Sequence, residues 1–294
     1  MTKETFQSRI PTLVMLAFLV VVQVLAVAFM PAIVATGERV FEDPKSTVNP
    51  ILYIVLILLF TSFLLIAIKF NMHLMINAFI LISIAASIFY ILNAFVSAFV
   101  SISLTVAMLL LLHFYPEWYI IDAVGIFICA GISTLFGVSM TTLPVVLLLI
   151  ILAVYDAISV YKTRHMVTLA EGILNVKAPL LFVVPKSRNY SFRTSQVSVS
   201  ENKGKPREAY FLGLGDAIIP TILVVSANWA LLAPILPGLG VNIPALGAMI
   251  GTYLGFLALM MTSRDKPQAG LPFLNSGVVL GFLTGCAFAG VRPF

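Results

Sequence analysis

Nine stretches of this sequence run for about twenty residues with almost no ionisable side chain. At 1.5 Å per residue, a helix of that length spans the roughly 30 Å hydrocarbon core of a bilayer. In hydrocarbon every backbone N–H and C=O must be satisfied within the protein, so such runs fold as helices or closed barrels. The runs do not alternate apolar and polar residues, which excludes a barrel. Of 294 residues, 61% are hydrophobic and only 10% charged, against about 25% charged in a soluble domain. The expected fold is therefore an all-α polytopic membrane protein with nine transmembrane helices and no soluble domain.

In chain order the spans are expected near 10–35, 50–69, 73–92, 94–113, 122–139, 141–161, 210–233, 243–261 and 271–290. The first is too long for a signal-peptide core and reads as a retained helix. HFYPEWYIID, residues 113–122, looks like an interfacial aromatic belt. The segment 162–176 reads as a surface amphipathic helix. LLFVV, residues 180–184, lies between Pro179 and Pro185 and reads as a short strand. Residues 186–208 are polar enough to be expected disordered. This divides the chain into a six-helix part (1–161), a cytoplasmic loop (162–209) and a three-helix part (210–294).

The net charge of +5 is a topology signal and needs no nucleic-acid partner. Nine of the 17 basic residues lie in the 162–209 loop, which the positive-inside rule places in the cytoplasm. Counting outward from it, Lys3, Arg9, Lys69, Arg264 and Lys266 also fall inside, giving 9 + 5 = 14 of 17. The N-terminus is then cytoplasmic and the C-terminus outside. Cys129 and Cys286 sit in apolar runs and read as packing residues. His73, His113 and His165 lack the spacing of metal ligands, so neither a metal nor a cofactor is expected.

Against this background two aspartates stand out. Asp156 lies near the end of span six and Asp216 near the start of span seven. An ionisable side chain in a membrane helix costs at least a few kcal/mol and marks a functional site by default. The two helices are joined by the cytoplasmic loop. That puts the carboxylates at matching depths, roughly 7–8 Å and 9 Å from the same surface. Asp122 stands at a span boundary and reads as a snorkelling residue. Gly213 and Gly215, just before Asp216, loosen the helix start and let another backbone approach closely. Gly247, Gly251 and Gly255, like Gly277, Gly281 and Gly285, recur every four residues. Close helix packing explains them better than a flexible gate.

Tyr155-Asp156, Gly213-Leu214-Gly215-Asp216 and Pro244-Ala245-Leu246 together resemble the motifs of the presenilin and signal peptide peptidase family of intramembrane aspartyl proteases. The resemblance extends over all nine spans and the long loop between spans six and seven. The N-inside orientation is similar to presenilin. The absence of long extramembrane insertions is similar to a compact microbial homologue, in a cell membrane. It implies catalytic roles for Asp156 and Asp216, and supporting roles for Tyr155, Gly213, Leu214, Gly215, Pro244, Ala245 and Leu246. In the family the Pro-Ala-Leu segment lies close to the aspartates. The depth count by itself puts Pro244 near the outer face.

The implied activity is endoproteolysis of transmembrane peptides or proteins within the bilayer. Two carboxyl groups a few Å apart in a low-dielectric site cannot both ionise cheaply, so they share a proton. The ionised member activates water while the protonated one polarises the peptide carbonyl. LLFVV and Tyr210-Phe211-Leu212 admit two readings: a hairpin edge that captures an unwound substrate by strand addition, or interfacial anchors. A proton-coupled transporter using the aspartates as a relay is the alternative function. It expects an internal repeat and acids nearer the midplane, and neither is found. A prepilin-peptidase-type enzyme is disfavoured by the Pro-Ala-Leu segment. An apolar lipid face and an apolar subunit interface look alike in sequence, so a homo-oligomer is compatible with the chain.

Overall fold

The computed structural model describes residues 10–70, 72–163, 181–186, 190, 209–238, 240–262 and 269–294. All but the first two residues of the expected amphipathic segment at 162–176, all but Lys186 and Tyr190 of the polar stretch 186–208, and most of the loop 263–270 lie outside these. Nine helices are present among the described residues: α1 (Ile10–Ala35), α2 (Val48–Lys69), α3 (His73–Asn93), α4 (Ala98–Phe114), α5 (Trp118–Ser139), α6 (Thr142–Ile158), α7 (Leu214–Ala230), α8 (Ile243–Thr262) and α9 (Leu271–Ala289). Seven are long and apolar enough to cross a membrane, α6 only together with the π-helical turn that follows it, while α4 and α7 stop at 17 residues each. A π-helical turn, Ser159–Thr163, continues α6.

Span seven is shorter than its apolar run suggests, because Ala209–Gly213 is a strand and the helix starts only at Leu214. This strand, β2, pairs antiparallel with β1 (Leu181–Pro185) in the register Leu181↔Gly213, Val183↔Phe211 and Pro185↔Ala209. Aromatic and β-branched residues favour the extended form. Gly213, in extended backbone, ends the strand and caps α7.

α5 is the central helix. Its small residues let neighbours approach from several sides: Thr134 Oγ1 donates to the carbonyl of Ala26 in α1 (2.8 Å), and Ser133 Oγ donates to that of Ile218 in α7 (3.2 Å). One apolar cluster joins α6, α7, α8 and α9 through Leu148, Leu149, Leu223, Ala248, Val278 and Phe282. A second joins α1, α5, the hairpin, α7, α8 and α9 through Leu19, Cys129, Phe182, Leu214, Phe256 and Leu274. Helices α2, α3 and α4 form a looser flank against α5.

The glycines of α8 and α9 face one another. A Cβ on Gly247 would collide with the Gly281 carbonyl, one on Gly251 with that of Gly277, and one on Gly255 with that of Phe273. The fourfold repeats are therefore a backbone-to-backbone seam. This seam fixes where α9 begins, and α9 begins at the site.

Candidate active site

Asp156 lies in the last turn of α6 and is 5% exposed. Its Oδ2 accepts a hydrogen bond from the N–H of Leu271 (3.1 Å). Leu271 opens α9, so Asp156 satisfies one of the N–H groups that the start of a helix leaves without intrahelical partners. Asp216 is the third residue of α7 and half-buried. Its carboxylate is turned back toward Gly213, the residue capping its own helix, with Oδ2 3.4 Å from where a Cβ on Gly213 would stand.

The two carboxylates meet across one peptide. All three carboxylate atoms of Asp216 lie 3.1 Å from where a Cβ on Gly270 would stand. The next N–H along the chain, that of Leu271, is bound to Asp156. Positive ends of two helix dipoles, those of α7 and α9, face the pair, which suits a site holding negative charge.

Local sequence explains the setting. Pro220 stands four residues after Asp216 and removes the N–H that would have bonded the Asp216 carbonyl. The turn carrying Asp216 is thus loosened by proline on one side and glycines on the other. Gly215 is exposed with no heavy atom within 4 Å of an added Cβ, and Gly213 has only the Asp216 carboxylate near it. Leu214 is buried with Phe182, Leu212 and Phe256. Tyr155 is half-buried beside Asp156 in α6.

Pro244, Ala245 and Leu246 are not at the carboxylates. They open α8 at its far end, where Pro244 packs against Gly285. Gly285 is 14 residues, or roughly 21 Å of helix, from Leu271. Asn242 holds that end: its Oδ1 accepts from Ala245 N–H (2.9 Å) and its Nδ2 donates to the Ala227 carbonyl (2.8 Å). The prolyl segment beside the aspartates is instead Gly270-Leu271-Pro272-Phe273-Leu274 at the start of α9. Its Pro-x-Leu spacing was a usable signal, since the topology count already brought the start of span nine to the cytoplasmic side. Phenylalanine at the middle position hid it, and Pro244-Ala245-Leu246 drew the motif elsewhere. Asp122, expected to snorkel, is 3% exposed and bonded to the hairpin. No cluster of three or more His, Cys, Asp or Glu suited to a metal occurs among the described residues.

Residues 16–291 match the family described as signal-peptide peptidase, presenilin aspartyl protease. Two solved structures of a presenilin family intramembrane aspartate protease are similar to this chain over nearly its whole length. One, in space group C222, is 34% identical with a TM-score of 0.68, covering 96% of this chain and 100% of its own. The other, in space group P2, is 36% identical with a TM-score of 0.69, covering 95% of this chain and 99% of its own. No curated protein matches the chain. With two carboxylates converging on one peptide in a bundle of apolar helices, the chain belongs to the signal-peptide peptidase and presenilin family and is an integral, multi-pass intramembrane aspartate protease.

Proposed function

We propose that the enzyme hydrolyses peptide bonds of transmembrane-helix substrates through Asp156 and Asp216, which share one proton and activate a water directly. The observation that carries this reading is the Gly270–Leu271 peptide, which Asp156 binds through Leu271 N–H and which Asp216 abuts at Gly270. The ionised carboxyl takes a proton from water as the oxygen attacks the scissile carbonyl. The other carboxyl donates its proton to the carbonyl oxygen. A tetrahedral gem-diol forms. Its collapse breaks the C–N bond, with the proton passed to the leaving nitrogen. No acyl-enzyme forms.

On this reading the parts 1–161 and 210–294 each contribute one carboxylate, and the nine helices are nine spans with the N-terminus cytoplasmic. The distribution of basic residues supports that orientation. The β1–β2 hairpin supports strand addition as the mode of substrate capture, because β2 runs directly into Gly213-Leu214-Gly215-Asp216. An extended substrate along it exposes its carbonyls, which a helix conceals. The relay alternative gains nothing from the geometry, since the carboxylates lie at the end of α6 and the start of α7. The test is incubation of the purified protein in detergent with a membrane-span peptide. Cleavage is expected from the wild type and from neither Asp156→Ala nor Asp216→Ala; cleavage surviving either substitution sinks the dyad.

A further inference from the structure

A third carboxylate lies inside the bundle, away from the dyad. Asp122, in the second turn of α5, is 3% exposed, and its Oδ1 accepts a hydrogen bond from the N–H of Val183 in β1 (2.8 Å). Its Oδ2 is buried without a partner among the described residues. The strand is therefore its sole hydrogen-bond partner there.

The direction of that bond is informative. In an antiparallel ladder, alternate residues direct their N–H and C=O toward the partner strand and away from it. Val183 gives its N–H to Asp122, so Val183 faces away from β2. Phe182 and Val184, opposite Leu212 and Tyr210, then face it. Pro185, two residues on, shares the outward orientation of Val183, where a missing N–H does no harm. Asp122 thus closes the outer edge of β1. The edge at which a further strand can add is that of β2, through Phe211 and its neighbours.

Asp122 also begins a stripe on α5 that follows the hairpin into α7. At Gly125 an added Cβ would stand 3.2 Å from both Phe182 and Leu214. Cys129 Sγ donates to the Leu214 carbonyl (3.7 Å), and Ser133 Oγ to that of Ile218. α5 is a rail against which β1, β2 and the turn carrying Asp216 are set in height. Asp122 is the rail's only carboxylate, and it grips the strand by the backbone. A one-residue slip of buried β1 would turn its side chains to the wrong face, and it would also carry the Val183 N–H off the Asp122 carboxylate, so the hydrogen bond adds to the registration that packing imposes.

We infer that Asp122 is a positioning residue for the reaction: by fixing Val183, and through the ladder Phe211, it sets which bond of a strand-added substrate lies at the dyad. This rests on the two-aspartate reading with substrate addition to β2. A buried carboxylate within a membrane protein is costly, and leaving a strand-edge N–H unpaired there is costly too. The pair offsets both.

The test uses the full-length protein in detergent, a membrane-span peptide, and mass spectrometry of the product ends, with unfolding temperature as a control. Asp122→Asn keeps the acceptor and should keep the wild-type distribution of cut positions. Asp122→Leu removes it. Cleavage should spread to neighbouring bonds, with KM raised by about tenfold, as for one lost buried hydrogen bond, and kcat changed less. Val183→Pro removes the donor from the other side without breaking the ladder to β2, and should shift the cut positions in the same way. Unchanged cut positions and KM in a folded Asp122→Leu or Val183→Pro protein overturn the inference. So does a loss of kcat with the cut positions fixed. Loss of folding in both variants also overturns it, because the contact would then serve folding alone. An inactive Asp216→Ala protein alongside any of these results leaves the dyad standing. Cleavage by Asp216→Ala overturns the dyad and this inference together.

Discussion

Two seams meet at the start of α9, and they are built in opposite ways. Between α8 and α9, glycine backbones touch, and a Cβ on Gly247, Gly251, Gly277 or Gly281 would strike the facing chain. Between α6, α7 and the Gly270–Leu271 peptide there are carboxylates, a π-helical turn, a proline inside α7 and an exposed glycine. The first seam has no freedom and no chemistry; the second has both. The difference teaches how an active site is kept exact while its own turns are loose. The peptide between the aspartates is placed by the rigid seam and only used by the loose one.

The comparison breaks most sharply at the carboxylates. Asp156→Ala or Asp216→Ala should lower cleavage of a membrane-span peptide by at least about 10²–10⁴-fold, the range for a lost general acid or base. The unfolding temperature should fall little, because an ionisable group buried in a membrane bundle is costly to hold and its removal relieves that cost. A large fall in stability with residual cleavage would mean that these residues brace the fold instead.

The rigid seam should answer the other way. Gly281→Val would drive side-chain carbon into the Gly247 carbonyl and the Gly251 Cα, atoms that move only if the helices part. The expected loss is about 3 kcal/mol, the upper end for overpacking, read as a lower unfolding temperature in detergent. Activity should fall in step with the folded fraction. A full-strength enzyme with unchanged stability would show the seam to be loose after all.

Gly270 caps the start of α9, where the two seams meet, and its substitution should have an intermediate effect. In Gly270→Ala the new Cβ lies 3.1 Å from the Asp216 carboxylate, so the carboxylate must shift by a few tenths of an ångström. A misplacement of that size should lower kcat by roughly tenfold, since about 1 Å already costs about 10²-fold. Steady-state kinetics would show kcat lowered with KM nearly fixed; an unchanged kcat would detach the Gly270 peptide from the chemistry.

Much of this was legible in residues. Helix positions followed from the apolar runs because hydrocarbon admits so few folds, and Asp156 and Asp216 stood out because charges in such runs are costly. The hairpin was half legible. Pro179 and Pro185 framed β1, yet Tyr210–Gly213 was continuous with an apolar run, and periodicity cannot tell a buried strand from a helix end. Asp122 was misjudged because a boundary carboxylate reads as exposed unless one knows that Val183 waits beside it. Pro244-Ala245-Leu246 lies away from the aspartates, as the depth count had it, and only the resemblance drew it to them, because a three-residue motif carries no depth. The partner of Pro244 is Gly285, and that long-range fact belongs to the packing of α8 on α9.

The smallest effect separates two kinds of glycine. Gly215→Ala adds a Cβ where no atom lies within 4 Å, on an exposed position of the first turn of α7. Alanine is the better helix former by roughly 0.5–1 kcal/mol, so the unfolding temperature should rise slightly. If Gly215 is there to let a substrate backbone come close to Asp216, the methyl group obstructs that approach alone. KM should then rise by several-fold while the protein becomes more stable. A stabilised enzyme with unaltered KM would move the approach path away from Gly215 and leave Gly213, where an added Cβ would stand 3.4 Å from the Asp216 carboxylate, as the glycine that matters.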